Sequence, residues 1–303
     1  MLRRRCGDIY SPGDGPDPWL RRRLEAGRRQ VRTAALRAGP GGQGPFVGTV
    51  SVSSALSTFR EGSLHAALKD LYARPADRVE EIVDGYVVDV VRDDELVEIQ
   101  TGSFASAARK LRCLVEDRRL ALVHPVAFER WIVRVDSDGV VTGRRRSPKR
   151  GQHLDLFDQL VAFPELVAHQ NFRIELVMIR EEEIRGPIPA GVHYRYPRQW
   201  RRLDRRLLDV VEVVRIDTPG DLLGLLPAGV PDQFTSADIA AASGRPKRLA
   251  MRTAYCLQHA GATQCTGRLG RLRLYERNPP RVGLGRHVAE PEPWRLTTLR
   301  DAR

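Results

Sequence analysis

The sequence predicts a mixed α/β (α+β) fold, a sheet flanked by helices with a small helical module behind it. Three observations predict this. Residues 87–91 (VVDVV) and 96–100 (LVEIQ) are short β-branched runs around a polar turn, the signature of a hairpin. The segments 63–73 and 104–117 space their apolar residues as amphipathic helices do. From Phe234 the pattern changes to helix, turn, helix and a Gly/Arg-tipped hairpin.

Composition sets the bounds. The 303 residues are enough for about two domains, and 42% hydrophobic residues permit a real core. Fifty Lys and Arg against 38 Asp and Glu give +12, which points to a polyanionic partner: nucleic acid first, an anionic membrane surface second. The dominance of Arg is also what a GC-rich genome would give. The four cysteines, Cys6, Cys113, Cys256 and Cys265, form no CxxC pair and no zinc-finger spacing, so no zinc is expected, and no nucleotide cofactor is implied. Cys113 and Cys256 read as small core residues and suit a reducing, cytoplasmic setting. Arg3-Arg4-Arg5 is followed by no apolar run, and no 18-residue apolar stretch occurs, so neither a signal peptide nor a membrane span is expected.

Taken in order, residues 1–60 read as a basic Arg/Gly/Pro-rich, mostly disordered arm, in which 19–36 is a basic helix candidate without a sustained apolar stripe. A helix follows over 63–73 with Leu64, Leu68 and Leu71 on one face and Ser63 as its N-cap, ended by Arg74-Pro75. Residues 78–83 form the first strand and Asp84-Gly85 its turn. After the central hairpin, Ser103 caps the helix over 104–117, placing free N–H groups beside Gln100 where a phosphate is welcome. Residues 120–124 read as a buried strand ended by Pro125, 131–135 as another, and 144–150 (RRRSPKR) as a dense basic loop, either a backbone grip or a solvated surface. A short helix spans 154–163 and a strand 172–179, and Glu181-Glu182-Glu183 reads as surface. Residues 186–230 read as linker and connecting elements, with 207–216 ambiguous between strand and helix. Residues 279–303 read as a disordered tail.

The chemistry concentrates in the hairpin. With Asp93-Asp94 as a two-residue loop, Val91 pairs with Leu96 and Asp89 falls opposite Glu98, their Cβ atoms about 5 Å apart. Gln100 points to the same face. Both strands read as buried on both faces, where a carboxylate pair either shares a proton or holds a hard cation such as Mg²⁺ or Mn²⁺. Glu80 or Glu81 faces this site, depending on register, and His65 is either a helix-surface histidine or an accessory group.

Asp89 followed by Glu98-x-Gln100 and a helix resembles the PD-(D/E)XK, restriction-endonuclease-like nucleases. Their core runs helix, three antiparallel strands, helix, strand, and the resemblance implies this for residues 61–185. It implies Asp89 and Glu98 as metal ligands and Gln100 at the position usually held by Lys. Some members draw that Lys from the following helix, where Arg109 and Lys110 lie. The wording SLHAALKDLYARPADRVEEIVDGYVVDVV, LVEIQTGSF, SPKRG and EEEIR also resembles an uncharacterised bacterial family that pairs such a core with a C-terminal winged helix. Residues 231–278 fit that module. Arg245, Lys247, Arg248 and Arg252 load the start of its second helix, and Arg268 and Arg271 its wing. The expected function is a Mg²⁺-dependent nuclease with DNA as partner. The alternatives are an inactive DNA-binding regulator and a protein-interaction scaffold.

Overall fold

The computed structural model describes residues 18–25, 62–188 and 199–279. The rest of the expected arm, and the expected tail from residue 280, lie outside them. A seven-stranded mixed sheet organises the chain, ordered β1-β2-β3-β4-β6-β7, with β5 on the far part of β4. The strands are β1 Arg78–Val83, β2 Tyr86–Val91, β3 Glu95–Ile99, β4 Arg119–Val135, β5 Val141–Arg146, β6 Phe172–Pro187 and β7 Trp200–Ile216. β3 runs parallel to β4 and β4 to β6, while the other pairs are antiparallel.

Local chemistry sets the two hairpins. Asp84 (φ 50°) and Gly85 (φ 80°) both take positive φ, as a two-residue type I′ turn requires, and Val83 pairs with Tyr86. The Arg92 amide donates to the Glu95 carbonyl at 2.9 Å, so Val91 pairs with Leu96 as the residue count requires. One sheet face packs Val90, Val97, Ile99, Val123 and Val177 under helix α2 (Ser63–Tyr72) through Leu64, Leu68 and Tyr72. The other buries Leu96, Leu120, Leu122 and Leu176 under α3 (Phe104–Leu114) and α4 (Phe157–Leu160).

Several expectations are corrected. Within the arm, residues 18–25 form a helix, α1, whose Leu20 is 2% exposed and packs with Leu64 and Leu68. Arg23 donates to the Asp70 carbonyl at 2.7 Å. One leucine with Leu24 is too short a stripe for periodicity to reveal. The cap of α2 is Gly62, not Ser63. The Asp204 carboxylate of β7 accepts the Ser63 amide at 3.1 Å and the Ser63 hydroxyl. Pro125 does not end its strand. Gln100 donates to the Val123 carbonyl, Val123 is the last β4 residue paired with β3, and Pro125 lies two residues on. The missing N–H of Pro125 therefore faces a side where the neighbouring strand has stopped. The supposed linker carries β7, which pairs with β6 along its length. Glu181 and Glu183 are not surface: they are 0% and 4% exposed, because β6 lies between β4 and β7 and arginines cover it, while Glu182 between them is half-buried. The hairpin is not buried throughout, since Val87 is 55% exposed beside the edge strand. Cys113 is exposed, while Cys256 is buried as expected.

The C-terminal module comprises β8 (Gln233–Phe234), α5 (Ser236–Ser243), α6 (Lys247–His259), β9 (Thr263–Leu269) and β10 (Leu272–Arg277). Its sheet order is β8-β10-β9. Thr235 and Asp238 form a capping box at α5, Gly244 ends it with φ 64°, and Gly261 follows α6 with φ 83°. Leu249, Ala250, Cys256 and Leu257 of α6 share one core with Phe157 and Leu160 of α4. No helix among the described residues is long and apolar enough to cross a membrane.

Candidate active site and adjoining cleft

The β2–β3 ladder opens just where the charges begin. Pairing stops at Val90↔Val97, and beyond it the strands fork. Asp89 fills the fork: its Oδ2 accepts the Ile99 amide at 2.7 Å, taking the place of a missing strand carbonyl. Its Oδ1 lies 2.9 Å from His65 Nε2 on α2, so His65 is not a bystander on the helix surface. Glu98 is 7% exposed, and its Oε2 receives Lys110 Nζ at 2.5 Å. The same ammonium donates to the Val87 carbonyl. Helices on opposite faces thus each send one basic side chain to the carboxylate pair.

The two carboxylates sit in unlike electrostatic settings. Burial pushes Glu98 up to about 7, the neighbouring Asp89 charge adds to this, and Lys110 opposes it. Burial also raises Asp89, but the His65 contact, the Ile99 amide and Lys110 outweigh it and hold Asp89 below its ordinary value. The pair is built to carry one proton more readily than two charges.

The remaining expected groups scatter. The Gln100 side-chain amide donates to the Ser103 carbonyl at 2.5 Å and to Ser106 Oγ at 3.0 Å, so it braces the first turn of α3. Arg109 is exposed. Glu81 pairs with Arg78 at 2.9 Å, whereas Glu80, held by Lys69 at 2.5 Å and strained at φ 55°, is the β1 residue level with Asp89. Among the described residues no group of three or more His, Cys, Asp or Glu forms a ready cage for a metal.

Sequence reasoning passed over a cleft of about 640 Å³ next to this site. It lies between the end of the basic loop and the start of α6, and His124, Lys149, Arg150, Arg205, Arg245 and Arg248 are among its lining residues. His124 Nδ1 donates to the Gln100 carbonyl at 2.7 Å, and Phe104 meets its ring edge-on at 4.7 Å. Burial pushes His124 down to about 4 against the pull of that carbonyl, and the Arg205 charge adds to the fall. Fully buried Glu181 holds Arg130 at 2.6 Å and Arg205 at 2.7 Å, and Arg205 donates onward to the Thr101 carbonyl at 3.1 Å. A lone histidine at a strand end and a glutamate triplet carry no such signal in one dimension.

The expected nucleic-acid residues divide in two. Arg245 pairs with Asp155, and Arg252 with Asp158 at 2.7 Å, so both dock α6 on the sheet domain instead of facing a partner. Lys247 and Arg248 are exposed at the start of α6. Arg268 lies on β9 opposite Arg273, and Arg271 sits in the turn at the hairpin tip. In the basic loop, Arg144 and Arg146 belong to β5, pair with Glu182 and Glu129, and lie over the Trp131 ring.

The pH profile tests the buried charges. Glu98, raised in the fold, contributes stability present below about pH 4.5 and lost as pH rises through about 7. His124, depressed in the fold, contributes stability present above about pH 6.5 and lost as pH falls through about 4. The slopes oppose each other, so thermal unfolding of the metal-free protein should be nearly flat in pH as far as these two groups decide it. Glu98→Gln should tilt it toward greater stability at pH 7 than at pH 4.5, and an unchanged profile would contradict the burial of Glu98.

The model of the family described as Domain of unknown function (DUF8091) matches residues 62–217, from the start of α2 past the end of β7. An uncharacterized protein of Treponema pallidum (strain Nichols) is 30% identical over 242 residues, which cover 79% of this chain and 92% of that one. No solved structure matches the chain. The matched span holds the forked hairpin, the helices on both its faces and the whole seven-stranded sheet, and by it the chain belongs to the DUF8091 family.

Proposed function

We propose that this chain is a Mg²⁺-dependent nuclease that cuts nucleic acid, with DNA as the partner. The observation that carries the reading is the convergence of Asp89, Glu98 and Lys110 at a fork in the sheet. The order α2, antiparallel β1-β2-β3, α3 and parallel β4 supports it, being the order of the PD-(D/E)XK core. Lys110 supports it too, since it brings to Glu98 the ammonium that Gln100 does not supply.

The donor set fits the ion. Mg²⁺ takes oxygen ligands, keeps several waters, and is commonly held by one or two carboxylates together with substrate phosphates. Asp89 and Glu98 would hold it, and the elevated Glu98 is the group a divalent charge would relieve. When bound, the ion supplies Lewis-acid polarisation of the scissile phosphate and a more acidic water. Lys110 neutralises charge at Glu98 and offsets charge developing on the phosphate. His65 holds Asp89 in one orientation. The C-terminal module, read as a winged helix, adds affinity through Lys247, Arg248, Arg268 and Arg271.

An inactive DNA-binding regulator is the second reading, favoured by Gln100, whose side chain is committed to Ser103 and Ser106. Lys110→Ala separates the two. Nuclease action predicts a roughly tenfold or larger fall in Mg²⁺-dependent cutting with the fold intact. A protein that binds DNA in a salt-dependent way but never cuts it in Mg²⁺ or Mn²⁺ is the regulator.

A further inference from the structure

The cleft beside the carboxylate pair is built, not incidental. One wall is the loop after β5, tied to β4 at both ends: the Ser147 amide donates to the Arg130 carbonyl at 2.7 Å and the Gly151 amide to the Ala127 carbonyl at 2.8 Å. Only glycine fits at 151, because a Cβ there would stand 2.6 Å from the Ala127 carbonyl oxygen. The other wall is the start of α6, fixed by Arg245 to Asp155 and to the Arg150 carbonyl. Two of its lining groups lack a full set of partners: Arg245, whose Nε is buried without a hydrogen bond, and His124, which is 6% exposed. Nδ1–H is committed to Gln100, which leaves Nε2 a hydrogen-bond acceptor among the lining residues.

Its charge is specific. Arg130, Arg150, Arg205 and Arg245 line the cleft, but each is paired with a carboxylate. Asp155 and Asp158 are likewise neutralised by Arg245 and Arg252. Lys149 and Arg248, on opposite walls, have no ion-pair partner among the described residues. Two uncompensated positive charges match a phosphomonoester, which carries about −1.5 to −2 at neutral pH, better than a single phosphodiester. The volume lies in the range of small-ligand pockets and is far too small for a duplex.

We propose that this cleft is a binding site for a nucleotide phosphomonoester, with the phosphate between Lys149 and Arg248 and a sugar hydroxyl or base N–H donating to His124. A free nucleoside monophosphate and the phosphorylated end of a nucleic-acid strand share that chemistry. The site needs no metal and stands whether or not the carboxylate pair cuts.

The test is fluorescence anisotropy on the full chain in EDTA, so that metal-dependent chemistry is silent. The probes are short single strands ending in a 5′-phosphate, a 3′-phosphate or hydroxyls only. One phosphorylated end should bind about tenfold tighter than the hydroxyl strand, what one charge-assisted hydrogen bond supplies. The preference should vanish in Lys149→Ala and Arg248→Ala, both exposed positions whose folding circular dichroism checks. Competition by a nucleoside 5′-monophosphate assigns the site to free nucleotide, and its failure assigns it to strand ends. Where the monophosphate competes, it should do so better than inorganic phosphate, and equal competition by the two would overturn the nucleotide assignment. Equal binding of all strands without competition, or a preference that survives both substitutions, overturns the proposal.

Discussion

Cutting of plasmid or single-stranded DNA in Mg²⁺, the activity proposed for this chain, should fall by at least about a hundredfold in both Asp89→Ala and Glu98→Ala, since Lewis-acid stabilisation is worth several kcal/mol and each 1.36 kcal/mol is tenfold. The two variants differ in stability. Asp89→Ala strips the Ile99 amide and His65 of their acceptor, so it should also destabilise the fork. Glu98→Ala removes a carboxylate that burial disfavours but leaves the Lys110 ammonium only the Val87 carbonyl, so its cost near neutral pH should be smaller than that of Asp89→Ala. Cleavage rate and unfolding midpoint, measured on the same samples, separate chemistry from folding. Full activity in either variant rejects the site.

Glu181→Ala is expected to destabilise the fold by about 3–5 kcal/mol, the cost of breaking a buried ion pair from one side. The carboxylate is fully buried and serves two arginines, Arg130 and Arg205. Without it Arg205 keeps only the Thr101 carbonyl, and Arg130 keeps Glu183 at 3.1 Å. Urea unfolding of Glu181→Ala and Glu181→Gln reads the effect, with Gln milder because it retains a carbonyl acceptor. A midpoint equal to the parent's would show that the arginines are solvated and the network is ornamental.

How much of this could be read from the chain depends on range. The hairpin register was legible because it follows from counting across the Arg92 to Glu95 turn, and Val91 does pair with Leu96. Both turns and the α5 and α6 boundaries were legible for the same reason: their chemistry lies within a few residues. The fork was not, because the Asp89 side chain satisfies a backbone group ten residues away and no pattern marks it. Nor was the burial of Glu181 and Glu183, which depends on a strand 24 residues later and arginines on three strands. β7 was misread because its arginines break alternation, yet one of them, Arg205, is what buried Glu181 requires. Arg245 and Arg252 look like ligand contacts in sequence, and only the packing of α6 on α4 turns them inward.

That packing has a mechanical consequence. Because α6 shares its hydrophobic interior with α4 and is pinned by two ion pairs, the hairpin tip and the forked strands belong to one stiff object. A strand held at the far end would meet the acidic pair at a constant offset, as on a ruler. On the proposed nuclease reading, the spacing between what is recognised and what is cut would then be fixed by the architecture of the chain and insensitive to the intervening bases.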